Sequence, residues 1–179
     1  SLKEEVDELL RRIEEEIRRL ADKSRRTNER VKEEIDRLAR ESEETNKKLK
    51  KKIEDIDVDE EIVRDARRLL EESHRRNRKL LEDAKKLLRE SHEKNKKILK
   101  DAERLLDEIR KRAEANKDKD AKIVKKLLED LKRLLKEVKE LMERINKETK
   151  ELLERVAREV KRLNTDTERL LKEVEDRVR

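Results

Sequence analysis

Three stretches of this chain repeat one arrangement of side chains every 18 residues. Ser24, Thr27 and Asn28 recur as Ser42, Thr45 and Asn46. Ser73, His74 and Asn77 recur as Ser91, His92 and Asn95, and Asn146 and Thr149 recur as Asn164 and Thr167. Eighteen residues are five turns of an α-helix at about 3.6 residues per turn. A seven-residue repeat drifts against that period and drives a left-handed supercoil, while an eleven-residue repeat drives a right-handed one. An 18-residue repeat does not drift, so long and nearly straight helices are expected.

The remaining composition supports helices and little else. The 179 residues include no Gly, no Pro, no Cys and no aromatic residue, and 58% are charged. Without Gly and Pro the chain lacks its usual turn and breaker residues, and Leu, Ala, Glu, Lys and Arg all favour helix. Only two places interrupt the pattern. One is Asp55-Ile56-Asp57-Val58-Asp59, where Asp59 fits an N-cap and Val58 with Val63 a hydrophobic staple. The other is Asn116-Lys117-Asp118-Lys119-Asp120, where Asn116 fits the left-handed position after a helix and Asp118 or Asp120 the next cap. Ser1 and Glu4 fit a capping box. Helices are therefore expected at approximately 2–56, 60–115 and 120–179, each about 80 Å long at about 1.5 Å per residue. Loops this short make sequential helices antiparallel. The expected fold is all-α: a single-chain, antiparallel three-helix bundle occupying residues 1–179 as one domain.

Each helix carries one apolar stripe, roughly 120–140° wide at about 100° per residue. It includes Val6, Ile13, Ile35 and Ile53 in the first helix and Val138, Met142, Val160 and Val174 in the third. In the second it takes in Leu69 with Leu70, Leu87 with Leu88, and Leu105 with Leu106. That width suits a helix touching two neighbours. No second stripe faces outward, so the expectation is a closed bundle, with Leu134 or Leu141 as the residues to look for on an exposed edge.

The polar residues interrupt these stripes at matching heights. Folding the second helix back about residue 58 and the third about residue 118 gathers Ser24, Thr27, Asn28, Ser91, His92, Asn95, Asn146 and Thr149 into one layer. Ser42, Thr45, Asn46, Ser73, His74, Asn77, Asn164 and Thr167 form the second, about 27 Å away at about 1.5 Å per residue. A buried hydroxyl or amide left unpaired costs about 1–3 kcal/mol. These groups are therefore expected to bond across the helix interfaces and to penalise any register that separates them.

With these layers, the uniform Glu, Lys and Arg surface and the short capped loops, the whole chain resembles the family of computationally designed helical bundles with buried hydrogen-bond networks. The resemblance implies a rigid, very stable scaffold with no natural biochemical activity. One departure is Asn164-Thr165-Asp166-Thr167, a run of weak helix formers that bears on the continuity of the third helix.

Other functions are weighed against that structural reading. The 55 basic and 49 acidic residues leave a net charge of only +6, and no basic patch or recognition motif marks a nucleic-acid surface. No run approaches the roughly 20 apolar residues that cross a bilayer. Ser-His adjacency invites a hydrolase reading, but adjacent helical residues point about 100° apart, and each layer lacks an orienting carboxylate and an oxyanion hole. No catalytic residue is assigned. One imidazole per layer falls short of a metal site, and no cofactor is expected. A buried histidine would lose stability on protonation, which gives a pH-responsive bundle as one alternative. The other is an interaction module that accepts a partner helix or forms a homo-oligomer. The leading expectation is a soluble monomer requiring no partner, nucleic acid or membrane.

Overall fold

The computed structural model describes residues 2–57, 60–116 and 121–178, with the side chains of residues 2, 3 and 178 left aside. It is an all-α three-helix bundle: α1 (Leu2–Glu54), α2 (Glu61–Asn116) and α3 (Ala121–Val178), with no strand among the described residues. No helix is long and apolar enough to cross a membrane among those residues. The exposed faces carry acid–base pairs three or four residues apart, such as Glu8 with Arg12 at 3.1 Å and Asp107 with Lys111 at 3.3 Å. Each adds only a few tenths of a kcal/mol. Burial of the stripe, not the surface pairs, holds the helices together.

The chain divides into two compact units, Ser1–Glu29 with Arg89–Thr149, and Arg30–Leu88 with Lys150–Arg179. In the first, Val6, Leu10, Ile13 and Ile17 of α1 pack with Ala102, Leu106 and Ala113 of α2 and with Val124, Leu131 and Met142 of α3. In the second, two apolar clusters flank a polar layer. One joins Ile35 and Leu38 to Leu81, Ala84 and Val160, and the other joins Ile53 to Val63, Ala66, Leu70 and Val174. Burying a Leu, Ile or Val side chain contributes about 1.5–3 kcal/mol. Contacts in this unit fix the antiparallel order. Asp36 meets Lys85 while Ser42 meets Asn77, and Asn77 meets Asn164 while Ser73 meets Thr167.

Three local expectations need correction. Asn116 is not a left-handed cap, because no described residue has positive φ. It stays in α2, and its Nδ2 donates to the Arg112 carbonyl at 2.8 Å, satisfying an orphan acceptor of the last turn by side chain instead of by backbone reversal. At the start of α2 the Glu60 carbonyl accepts the amides of Val63 and Arg64 at 3.1 and 3.2 Å, so Glu60 occupies the N-cap position. Val58, Asp59, Ser1, Asp118 and Asp120 lie outside the described residues.

The third correction concerns the stripe of α2. Leu69, Leu87 and Leu105 are 42%, 47% and 39% exposed, and Ile123 and Leu141 of α3 are similarly open. Each of these five immediately precedes a buried residue: Leu70, Leu88, Leu106, Val124 and Met142. Neighbouring helical residues diverge by about 100°, so only one of each pair can face the axis. Exposed apolar side chains are therefore present in each unit, Leu69 and Leu87 in one and Leu105, Ile123 and Leu141 in the other. Leu134 is half-buried.

Candidate functional site: two polar layers

Five turns of helix separate the repeats, and the second unit assembles one polar set from α1, α2 and α3. Asn77 is its centre and is 1% exposed. Its Nδ2 donates to Ser42 Oγ at 3.2 Å and to Asn164 Oδ1 at 2.9 Å, so both amide hydrogens reach other helices. Thr167 has two oxygens in reach, Ser73 Oγ at 3.0 Å and the Leu163 carbonyl at 2.7 Å. His74 turns its Nε2 to Glu43 Oε1 at 3.5 Å, and Arg78 lies at 3.9 Å from the same carboxylate. Thr45 and Asn46 are half-buried beside this set and enter no side-chain hydrogen bond among the described residues.

The first unit repeats the theme with fewer bonds. Asn95 Nδ2 donates to Ser24 Oγ at 2.8 Å, and the Ser91 and Thr149 hydroxyls lie 2.9 Å apart. Thr149 also reaches the Ile145 carbonyl at 2.8 Å, and with its only hydrogen given there, Ser91 becomes the donor of the pair. Thr27, Asn28, Asn146 and His92 are half-buried and have no side-chain hydrogen bond among the described residues. Asn146 therefore does not repeat the contact that Asn164 makes.

Helical angles explain which members meet. Ser73 and His74 differ by about 100°, and Asn77 falls between them. The asparagine thus faces the axis, the serine faces α3 and the histidine faces α1. This divergence separates hydroxyl from imidazole: Ser73 is engaged with Thr167 while His74 faces Glu43. Neither serine has a base in hydrogen-bond contact, the first requirement for nucleophilic catalysis. Among the described residues four buried side-chain atoms lack a partner, Nδ1 of His74 and His92 and Oδ1 of Asn77 and Asn95. The same two atoms recur in each unit, as expected of one 18-residue template used twice. Glu43 was missed by sequence reasoning. Its position one residue after Ser42, about 100° towards α2, is the signal that locates it.

Among the described residues no group of three His, Cys, Asp or Glu side chains is placed to hold a metal ion. Comparison with protein-family models, with curated proteins and with solved structures gives no match.

Proposed function

We propose that this chain is an artificial structural scaffold without catalytic activity, in which the two polar layers specify how the helices pack. The observation that carries the reading is the set of bonds between helices that centres on Asn77 and Asn95. Apolar contacts are tolerant of sliding, whereas separating Asn77 from Ser42 and Asn164 strands buried donors and acceptors at about 1–3 kcal/mol each. The test is a protein carrying Asn77→Leu and Asn95→Leu. Its far-UV helicity should persist, while its amide NMR spectrum should show more than one set of peaks as alternative packings become populated. A single sharp set of peaks, as in the parent, would remove the layers from the explanation.

A second reading, an interaction module, is favoured by the exposed Leu69, Leu87, Leu105, Ile123 and Leu141. An amphipathic partner helix, or a second copy, laid on either unit would bury the exposed residues of that unit. Growth of the solution mass with concentration, or on adding such a helix, distinguishes it from a self-contained scaffold.

A further inference from the structure

The seam between α1 and α2 in the second unit is not closed along its whole length. Lys85 clasps Asp36 across it at 3.0 Å, and Glu43 faces His74 and Arg78. Beyond Glu43, towards the end of α1 at Glu54, no ion pair crosses the seam among the described residues. There a groove of about 510 Å³ opens, within the range of roughly 300–1,000 Å³ typical of small-molecule sites. Ile53 and Leu70, both buried, form its apolar floor, and Asn46 and His74 its polar end.

Its rim is cationic. Lys50 comes from α1 and Arg67, Arg75 and Arg78 from α2, against two acids, Glu54 and Glu71. Lys50, Arg67 and Arg75 enter no ion pair among the described residues, although arginines elsewhere on these helices commonly do, as Arg68 does with Asp65. A cation held beside a partly enclosed apolar floor attracts anions more strongly than one in open water. Arginine also presents a planar fork suited to carboxylate, sulfonate or phosphate oxygens.

From the groove's floor and rim we propose that it binds a small amphipathic organic anion, its apolar body over Ile53 and Leu70 and its acidic head among Arg67, Arg75 and Lys50. Charge complementarity selects this occupant. An uncharged apolar ligand would leave the guanidinium groups unmatched, and a simple inorganic anion would leave the floor wet.

The probe is 8-anilinonaphthalene-1-sulfonate, titrated by fluorescence onto the whole chain. Saturable one-to-one binding is expected, with a dissociation constant on the order of tens of micromolar for a ligand of this size. Arg67→Gln with Arg75→Gln should weaken it by about tenfold, since each exposed cation accounts for a few-fold at most. Arg104→Gln with Arg133→Gln, which removes the same charge from the other unit, should leave it unchanged. Both double variants keep residues of good helix propensity at exposed positions, and their far-UV spectra and thermal midpoints are compared with the parent. Equal affinity in all three proteins, or equal weakening in both variants, overturns the site. So does displacement of the probe by inorganic sulfate at the probe's own concentration, which would mark an anion site indifferent to the apolar body.

Discussion

Asn77 shows what a single side chain contributes when its helix delivers it to the axis. Both hydrogens of its amide are used, by Ser42 on α1 and Asn164 on α3. Asn77→Ala removes two bonds, strands two acceptors and leaves a small cavity, so it should destabilise the bundle by about 2–3 kcal/mol. Asn46→Ala removes a half-buried amide with no such bond and should change stability by less than about 0.5 kcal/mol. Guanidinium midpoints of the two variants measure the difference, and equal losses would contradict the central role of Asn77. The spacing of Ser73, His74 and Asn77 made a buried set legible in the sequence. Which members would pair was not legible, because bonding depends on distances across three helices that spacing alone does not fix. A weaker effect belongs to Glu159. A hydrogen bond from Arg162 is the main cause holding its carboxyl below the usual range, opposed by burial and aided less by the charges of Arg162 and Arg76. A depressed folded value stabilises above the unfolded carboxylate range, and that contribution disappears as pH falls through the folded value. Glu159→Gln should therefore make the loss of stability between pH 7 and pH 3 slightly smaller than in the parent. Because both side chains are open to solvent, Arg162 at 61% and Glu159 at 40% exposed, screening keeps the effect small. A variant that loses more stability on acidification than the parent would reverse the assignment.

At the level of the helix, α3 answers the question raised by Asn164-Thr165-Asp166-Thr167. It is unbroken from Ala121 to Val178. Two of the four weak formers, Asn164 and Thr167, are tied to α2, and tertiary contact outweighs their propensity. Thr165 is exposed and has no such contact, so Thr165→Ala should stabilise by about 0.5 kcal/mol. A midpoint shifted the other way would show that Thr165 holds something its exposure conceals. The end of α1 and the start of α2 were readable to within two residues because Asp55-Ile56-Asp57 interrupts the stripe. The cap of α2 was less readable. An amide such as Asn116 can reverse the backbone or reach back to a carbonyl, and only geometry decides between them. The leucine pairs of α2 carry the same lesson. Leu69 and Leu70 are equally apolar, so a stripe drawn wide enough for two neighbours includes both, although the axis receives only Leu70.

For the whole molecule the open question is whether those exposed leucines recruit a partner. Each stands next to a charged residue: Arg68 before Leu69, Lys86 before Leu87, Arg104 before Leu105, Lys122 before Ile123 and Glu140 before Leu141. Any partner covering the leucines must also desolvate some of these charges, which opposes association unless each finds an opposite sign. A stable interface also needs about 1,000 Å² or more of well-fitted surface, and side chains already more than half buried have limited area left to give. The scaffold reading therefore predicts a light-scattering mass that stays at 21.8 kDa over about two decades of concentration, well past the range in which a weak interface of this size would show. A mass climbing towards twice that value would favour the interaction module instead. Leu87→Lys with Leu141→Lys then locates the surface. Return to the monomer mass places association on the exposed leucines, whereas persistence of the larger species assigns it to another face of the bundle.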